Sequence, residues 1–99
     1  NVFGDDAETF REILGEFLAP SAANAEEIIA AAKNRSAPEV GAAAHKLKSS
    51  SRSVGAIDLA ELCQVLEQAG NAADWDVIDE AVPRLPQIMS DVSDYIKAL

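Results

Sequence analysis

Apolar residues recur every three to four positions along almost the whole chain, and no stretch keeps the strict alternation of a half-buried strand. That periodicity restricts the chain to helices. Only five glycines and four prolines interrupt its 99 residues, and there is no long linker, internal repeat or low-complexity tract. A chain of this length makes one domain, residues 1–99, around a modest core. Short connections between helices of similar length make neighbours antiparallel. The expected fold is therefore all-α, an antiparallel up-down helical bundle.

The helix signals divide it further. Asp5, Asp6 and Glu8 favour the amino end of a first helix over about residues 5–18, with Phe10, Ile13, Leu14 and Phe17 as its apolar stripe. Ala19-Pro20 is expected to end or kink it. Ser21 is expected to cap a second helix to about Asn34, with Ala25, Ile28, Ile29 and Ala32 inward. After the polar break Asn34-Arg35-Ser36, Ser36 and Glu39 form a capping-box pattern around Pro38. The third helix carries Val40, Ala43, Ala44, Leu47 and Val54 and ends near Gly55. A fourth runs from about Ala56 to Ala69 with Leu59, Leu62, Cys63 and Leu66 inward, and Gly70-Asn71 is expected to stop it. The last segment, about Asp74 to Leu99, repeats Ile78, Val82, Leu85, Ile88, Met89, Val92, Ile96 and Leu99. A kink or break is expected there at Pro83 and Pro86.

The chain is strongly acidic, with 17 Asp and Glu against 8 Lys and Arg and a formal net charge of −9. Nucleic-acid binding draws its affinity from many Lys and Arg contacts to phosphates, so this balance argues against it, and equally against anionic membrane surfaces. It favours solubility and a partner met through one local patch. Cys63 is the only cysteine, which leaves no intrachain disulfide and no cysteine metal cage. On its apolar helical face it reads as a small buried hydrophobe. No apolar run reaches the ~18 residues of a membrane span, and no basic-then-apolar leader precedes Phe10. A cytoplasmic setting is expected, and a chain that opens on Asn1 reads as a piece of something longer.

One stretch departs from the acidic background. His45, the only histidine, lies in Ala44-His45-Lys46-Leu47-Lys48-Ser49-Ser50-Ser51-Arg52, and no acidic residue occurs from Val40 to Ile57. A helix turns about 100° per residue. With Leu47 at the centre of the buried face, Val40, Ala43, Ala44, Ser51 and Val54 fall within about 60° of it and His45 roughly 160° away. His45 therefore faces solvent, with Arg52, Lys48 and Ser49 on its side. A metal site lacks a second His or clustered Cys, and no loop has calcium-binding spacing. A Ser-His-Asp hydrolase needs a pocket and an oxyanion hole that short loops rarely supply, so Ser49, Ser50 and Ser51 read as packing and helix-surface residues. The scattered glycines form no phosphate cradle, hence no nucleotide site. Two readings of His45 remain. It is a surface residue of no consequence, or it is an exposed nucleophile that attacks a phosphoryl group and carries it as a phosphoramidate. In the second reading Lys48, one turn on, and Arg52, two turns on, offset the incoming charge.

The pattern His45-x-Leu47-Lys48-x-Ser50-Ser51, then Gly55-Ala56, Leu59, Leu62-Cys63 and Leu66-Glu67, resembles the histidine phosphotransfer (HPt) domain of bacterial phosphorelays. Phe10 to Pro20 is similar to that family's opening helix and the amphipathic last segment to its closing helix, so the resemblance covers nearly the whole chain. In motif it stands nearest the HPt modules of hybrid sensor kinases. The resemblance implies a four-helix bundle with an additional amino-terminal helix. It implies that His45 accepts phosphate from the aspartate of a response-regulator receiver domain and donates it to another. It implies a phosphocarrier, not an enzyme with kinase activity, and no cofactor of its own, magnesium belonging to the receiver.

By the same resemblance, Lys46 and Lys48 match the family's basic residues beside the phosphate. Glu67 matches the place on the neighbouring helix whose polar side chain bonds the other imidazole nitrogen; otherwise it is a solvated carboxylate. Ser49 stands where the family usually has Gly, and a small residue there lets the receiver approach. Function is expected to persist, with a narrower partner range. Ser49, Arg52 and Gly41 are expected to meet the partner. The expected partners are receiver domains and a hybrid histidine kinase, with no nucleic acid and no membrane, and the chain is expected to be monomeric. The alternative is a pure interaction module, a helical bundle that binds a receiver or kinase without carrying phosphate. A third reading has His45 phosphorylated directly by a kinase's ATP-binding domain.

Overall fold

A computed structural model describes the backbone of residues 2–98 and the side chains of residue 9 and residues 12–98. Along the chain run α1 (Val2–Lys33), α2 (Ala37–Ser53), α3 (Ile57–Ala72), α4 (Trp75–Ala81), a 3-10 turn (Val82–Arg84) and α5 (Leu85–Ala98). No strand occurs among the described residues, and no helix among them is long and apolar enough to cross a membrane. α1, α2, α3 and the interrupted α4–α5 arm make the expected all-α bundle. The interruption falls at Pro83, where the sequence places a break. α1 has 32 residues, about 48 Å at 1.5 Å per residue, and accounts for the 52 Å long dimension of the molecule.

The division of the amino-terminal half differs from the sequence reading. Proline removes a helical hydrogen bond and crowds the preceding turn, yet Pro20 lies inside one continuous α1. Pro20 itself is exposed, while Leu14, Phe17, Ser21, Ala25, Ile28 and Ala31 are buried along one stripe that keeps its phase across it. Each large apolar side chain buried on that stripe contributes about 1.5–3 kcal/mol, enough to outweigh a proline penalty of about 3 kcal/mol. Ser21 is thus a buried stripe residue and not a cap, and Ile13 is 55% exposed rather than in the stripe. The expected roles of the Asp5, Asp6, Glu8 and Phe10 side chains and of Leu99 lie outside the described residues.

The remaining arms bury the faces the periodicity marks. α2 contributes Val40, Ala43, Ala44 and Leu47, α3 Leu59, Leu62, Cys63 and Leu66, and the last arm Ile78, Ala81, Leu85 and Ile96. Burial first, then the nearby Glu67 charge, pushes the Cys63 thiol up to about 12, which keeps it an inert apolar filler.

Three helix ends close in the same way. At α1, Ser36 N–H donates to Ala31 O (2.9 Å) and Arg35 N–H to Ala32 O (3.1 Å). At α2 the bonds are Ala56 to Ser51 (2.9 Å) and Gly55 to Arg52 (3.2 Å), and at α3 Asp74 to Ala69 (2.8 Å) and Ala73 to Gly70 (3.2 Å). This paired pattern, the Schellman motif, needs a left-handed residue just past each helix. Arg35 (φ 55°), Gly55 (φ 76°) and Ala73 (φ 52°) supply it. Gly55 does so without strain. Arg35 is held by an ion pair to Asp79 at 2.7 Å and lies 4.4 Å over the Trp75 ring, tying the α1–α2 turn to α4. Gly70-Asn71 is not the stop the sequence suggests, because α3 continues to Ala72. At the amino ends, Ser36 makes no side-chain cap bond, so the capping box does not form, whereas Asp74 caps α4 by accepting from Val77 N–H at 3.3 Å.

Ala73 carries its left-handed backbone in an exposed position. A Cβ in that conformation costs about 1–2 kcal/mol, partly offset by the freedom glycine adds to the unfolded chain. Ala73→Gly is therefore expected to raise stability by about 0.5–1 kcal/mol and the thermal midpoint by a few degrees. A midpoint at or below wild type in a calorimetric melt contradicts this.

Candidate functional site

The site begins with the approach of α2 to α3. Where the two helices cross, each has a glycine. A Cβ on Gly70 would lie 2.5 Å from Gly41 N, 2.7 Å from Gly41 Cα and 2.8 Å from Ala37 O. A Cβ on Gly41 would lie 2.8 Å from Asn71 Oδ1. Gly41 is one turn before His45 on α2, and Gly70 is about one turn after Glu67 on α3. The crossing thus sets the gap that the functional side chains span. Gly41 is buried in it, which corrects the expectation that it meets a partner.

His45 projects away from the buried Leu47, as the helix geometry requires, and its side chain is 60% exposed. Its Nδ1 lies 2.9 Å from Glu67 Oε2. Glu67 is the opposite of a solvated surface carboxylate: only 18% of its side chain is exposed, and its second oxygen, Oε1, is in ion-pair contact with the Lys48 ammonium. By helix rotation alone, Lys48 lies beside His45. Its side chain instead leans across to α3, is only 13% exposed, and also donates to Gln64 Oε1 at 3.1 Å. His45, Lys48, Glu67 and Gln64 form one connected polar cluster over the α2–α3 seam.

The protonation states follow. The hydrogen bond from Lys48 comes first, then the one to His45, and together they outweigh burial and hold the Glu67 carboxyl below the ordinary glutamate range. An ionised carboxylate only accepts, so His45 Nδ1 must carry the proton and donate it. In the neutral ring this leaves the lone pair on Nε2, the arrangement of an imidazole nucleophile.

A pH dependence follows from the same shift. A depressed carboxyl pKa contributes stability that is complete above the unfolded value, about 4.3, and is lost as pH falls through the lower folded value. The stability advantage of wild type over Glu67→Gln is expected to be present above about pH 4.3 and to shrink as pH falls below it. Urea midpoints of both proteins across pH 2–7 measure it, and an advantage that persists unchanged at the acid end removes the pairing from the account.

The resemblance puts Lys46 beside the phosphate; in the structure its Nζ bonds Glu27 Oε2 of α1 at 2.9 Å, and both side chains are about half exposed. It lies on the flank of α2 that faces α1, where a carboxylate is within reach. Ser49 and Arg52 are exposed on the His45 side of α2, where the sequence reading places them. The serine hydroxyls are occupied locally: Ser50, Ser51 and Ser53 Oγ donate to the carbonyls of Lys46 (3.2 Å), Leu47 (2.6 Å) and Ser49 (3.0 Å). Helix rotation and the resemblance single out neither Gln64 nor Glu27. Gln64 had a readable signal, since it sits three residues before Glu67 and so shares its helix face.

No curated protein and no solved structure gives a significant match to the chain. The family model of the Hpt domain matches residues 12–95, an interval that opens in α1, closes in α5 and includes His45, Lys48, Gln64 and Glu67. With most of its length matched, and a solvent-facing histidine backed by a carboxylate on the adjacent helix, the chain belongs to the Hpt domain family.

Proposed function

We propose that the domain relays a phosphoryl group through His45 between the aspartates of response-regulator receiver domains in a two-component phosphorelay. Its family consists of histidine phosphotransfer domains, phosphocarriers and not kinases, which interact with receivers and kinases. The observation that carries the reading in this chain is the 2.9 Å contact that fixes Nδ1 of an exposed imidazole on Glu67.

The step balances without a further reagent. The Nε2 lone pair attacks the phosphorus of an aspartyl phosphate. A P–N bond forms as the P–O bond to the aspartyl carboxyl breaks, and the carboxylate leaves with the electron pair. The Nδ1 proton stays on the ring, where the positive charge that develops faces Glu67. Lys48 offsets the phosphoryl charge. Reversal onto a second aspartate discharges the domain. In this reading the domain holds no cofactor or nucleotide, magnesium arrives with the receiver, and the protein works as a cytoplasmic monomer with receivers and a hybrid kinase as partners.

Incubation with a phosphorylated receiver tests it. Acid-labile, base-stable label on this chain is expected. Receiver binding without label would make it an interaction module instead, and label from ATP and an isolated kinase catalytic domain, with no receiver present, would make the kinase the donor.

Docking adds a prediction at Ser49. The receiver must bring its phosphate to His45, so the surface one turn away has to stay low. Ser49→Leu is expected to leave the melt within about 0.5 kcal/mol of wild type, since an exposed helix position tolerates Leu. It should weaken receiver binding and slow transfer about tenfold, because a packed interface accepts added volume poorly. Wild-type affinity and rate in this variant would move the docking surface off His45.

A further inference from the structure

We infer that Gln64 is a positioning residue for phosphoryl transfer: with Glu67 it anchors the Lys48 ammonium so that its remaining N–H is aimed at the phosphoryl group on His45. The inference rests on the phosphocarrier reading and names a residue beyond its His45–Lys48–Glu67 core.

Lysine is a flexible stem carrying three N–H donors. Here one engages Glu67 and a second the Gln64 amide oxygen at 3.1 Å, and the side chain is 13% exposed. Two anchors from one face of α3 fix the ammonium in direction as well as place. One anchor would leave it free to rotate about the Glu67 contact. Gln64 also differs from Glu67 in charge. A neutral amide orients the ammonium without cancelling its field, so Lys48 keeps attraction to spare for an incoming phosphoryl group. A second carboxylate at this position would hold Lys48 equally well and repel the phosphate. The neutral acceptor is thus the residue type that positions without neutralising.

Phosphoramidate, a small donor that needs no docking surface, isolates the chemistry. The His45 Nε2–P bond forms as the P–N bond of the donor breaks and ammonia leaves. Loading rates are compared for wild type, Gln64→Met, Gln64→Glu, Lys48→Ala and the double variant Gln64→Met/Lys48→Ala, each with its thermal midpoint. Loss of one oriented hydrogen bond predicts loading about three- to tenfold slower in Gln64→Met, with the midpoint near wild type. Gln64→Glu is expected to be slowed as well. In the Lys48→Ala background Gln64→Met should add nothing, because Gln64 acts only through Lys48. With a phosphorylated receiver, the saturating transfer rate should fall while the half-saturating receiver concentration stays. Loading of Gln64→Met at the wild-type rate overturns the inference. So does an equal slowing in the Lys48→Ala background, or a change confined to the half-saturating concentration. Wild-type protein that takes no phosphate from either donor overturns the phosphocarrier reading itself, and the inference with it.

Discussion

Replacing His45 with Gln is expected to reduce phosphoryl acceptance to background while leaving the helical spectrum and thermal midpoint close to wild type. The loss should be complete because nothing can substitute. His45 is the only histidine. The Ser50, Ser51 and Ser53 hydroxyls donate to carbonyls of their own helix, and Cys63 is buried with its thiol pushed up to about 12. Stability should survive because the ring is 60% exposed and Glu67 keeps its Lys48 partner when the imidazole is replaced. Label transfer and circular dichroism on the same preparation decide the matter. Residual label places the acceptor elsewhere, and a collapsed spectrum makes His45 a structural residue.

The outward direction of His45 was legible because it depends only on helix rotation and on one strongly apolar neighbour, Leu47. The faces of α2 and α3 were legible for the same reason: periodicity reports burial directly. The pairing of Glu67 with His45 was not available from rotation, since it depends on how two helices meet, and it entered through resemblance. Lys46 and Lys48 show the limit most clearly. Both are basic and both stand within one turn of His45, yet one bonds Glu27 on α1 and the other Glu67 and Gln64 on α3. Sequence spacing places a Cβ, while a four-carbon stem goes where a partner on another helix holds it.

The errors in the fold have a common physical origin. Local propensity makes Pro20 a break, Gly70 a stop and Ser36 a cap. Tertiary packing overrides the first two. The stripe of Leu14, Phe17, Ser21, Ala25 and Ile28 stays in phase across Pro20, a sequence signal that outweighs the proline. At Ser36 the backbone takes the N-cap place without the side-chain bond. At the end of α3 the left-handed residue is Ala73, the one position of the three helix ends with neither a glycine nor a visible anchor. No propensity rule would have chosen it.

The same substitution at two glycines should give opposite signs, and the larger effect belongs to Gly70. Helix propensity alone favours Gly→Ala by about 1 kcal/mol inside a helix. At Gly15 of α1, exposed and with nothing within 4 Å of a built Cβ, that gain should appear as a stabilisation of about 0.5–1 kcal/mol. At Gly70 the new methyl would stand 2.5 Å from Gly41 N and 2.8 Å from Ala37 O. Both are backbone atoms, so no side-chain rotation relieves the clash, and α2 must move away from α3. Overpacking of this kind costs about 1–3 kcal/mol or more, which exceeds the propensity gain. A net loss of up to about 2 kcal/mol is expected, each kcal/mol lowering the midpoint of a domain this size by about 4–8 °C. Function should fall with it for a separate reason. The crossing lies one turn from the His45–Glu67 pair on both helices, and widening it stretches the 2.9 Å contact that presents the imidazole. Transfer by Gly70→Ala should therefore be slowed even at a temperature where the variant is fully folded, whereas Gly15→Ala should transfer like wild type. Melts and single-turnover transfer for both variants read the two effects apart. A Gly70→Ala protein as stable as wild type would mean the α2–α3 approach has room to spare, and that the glycine pair does not set the geometry of the site.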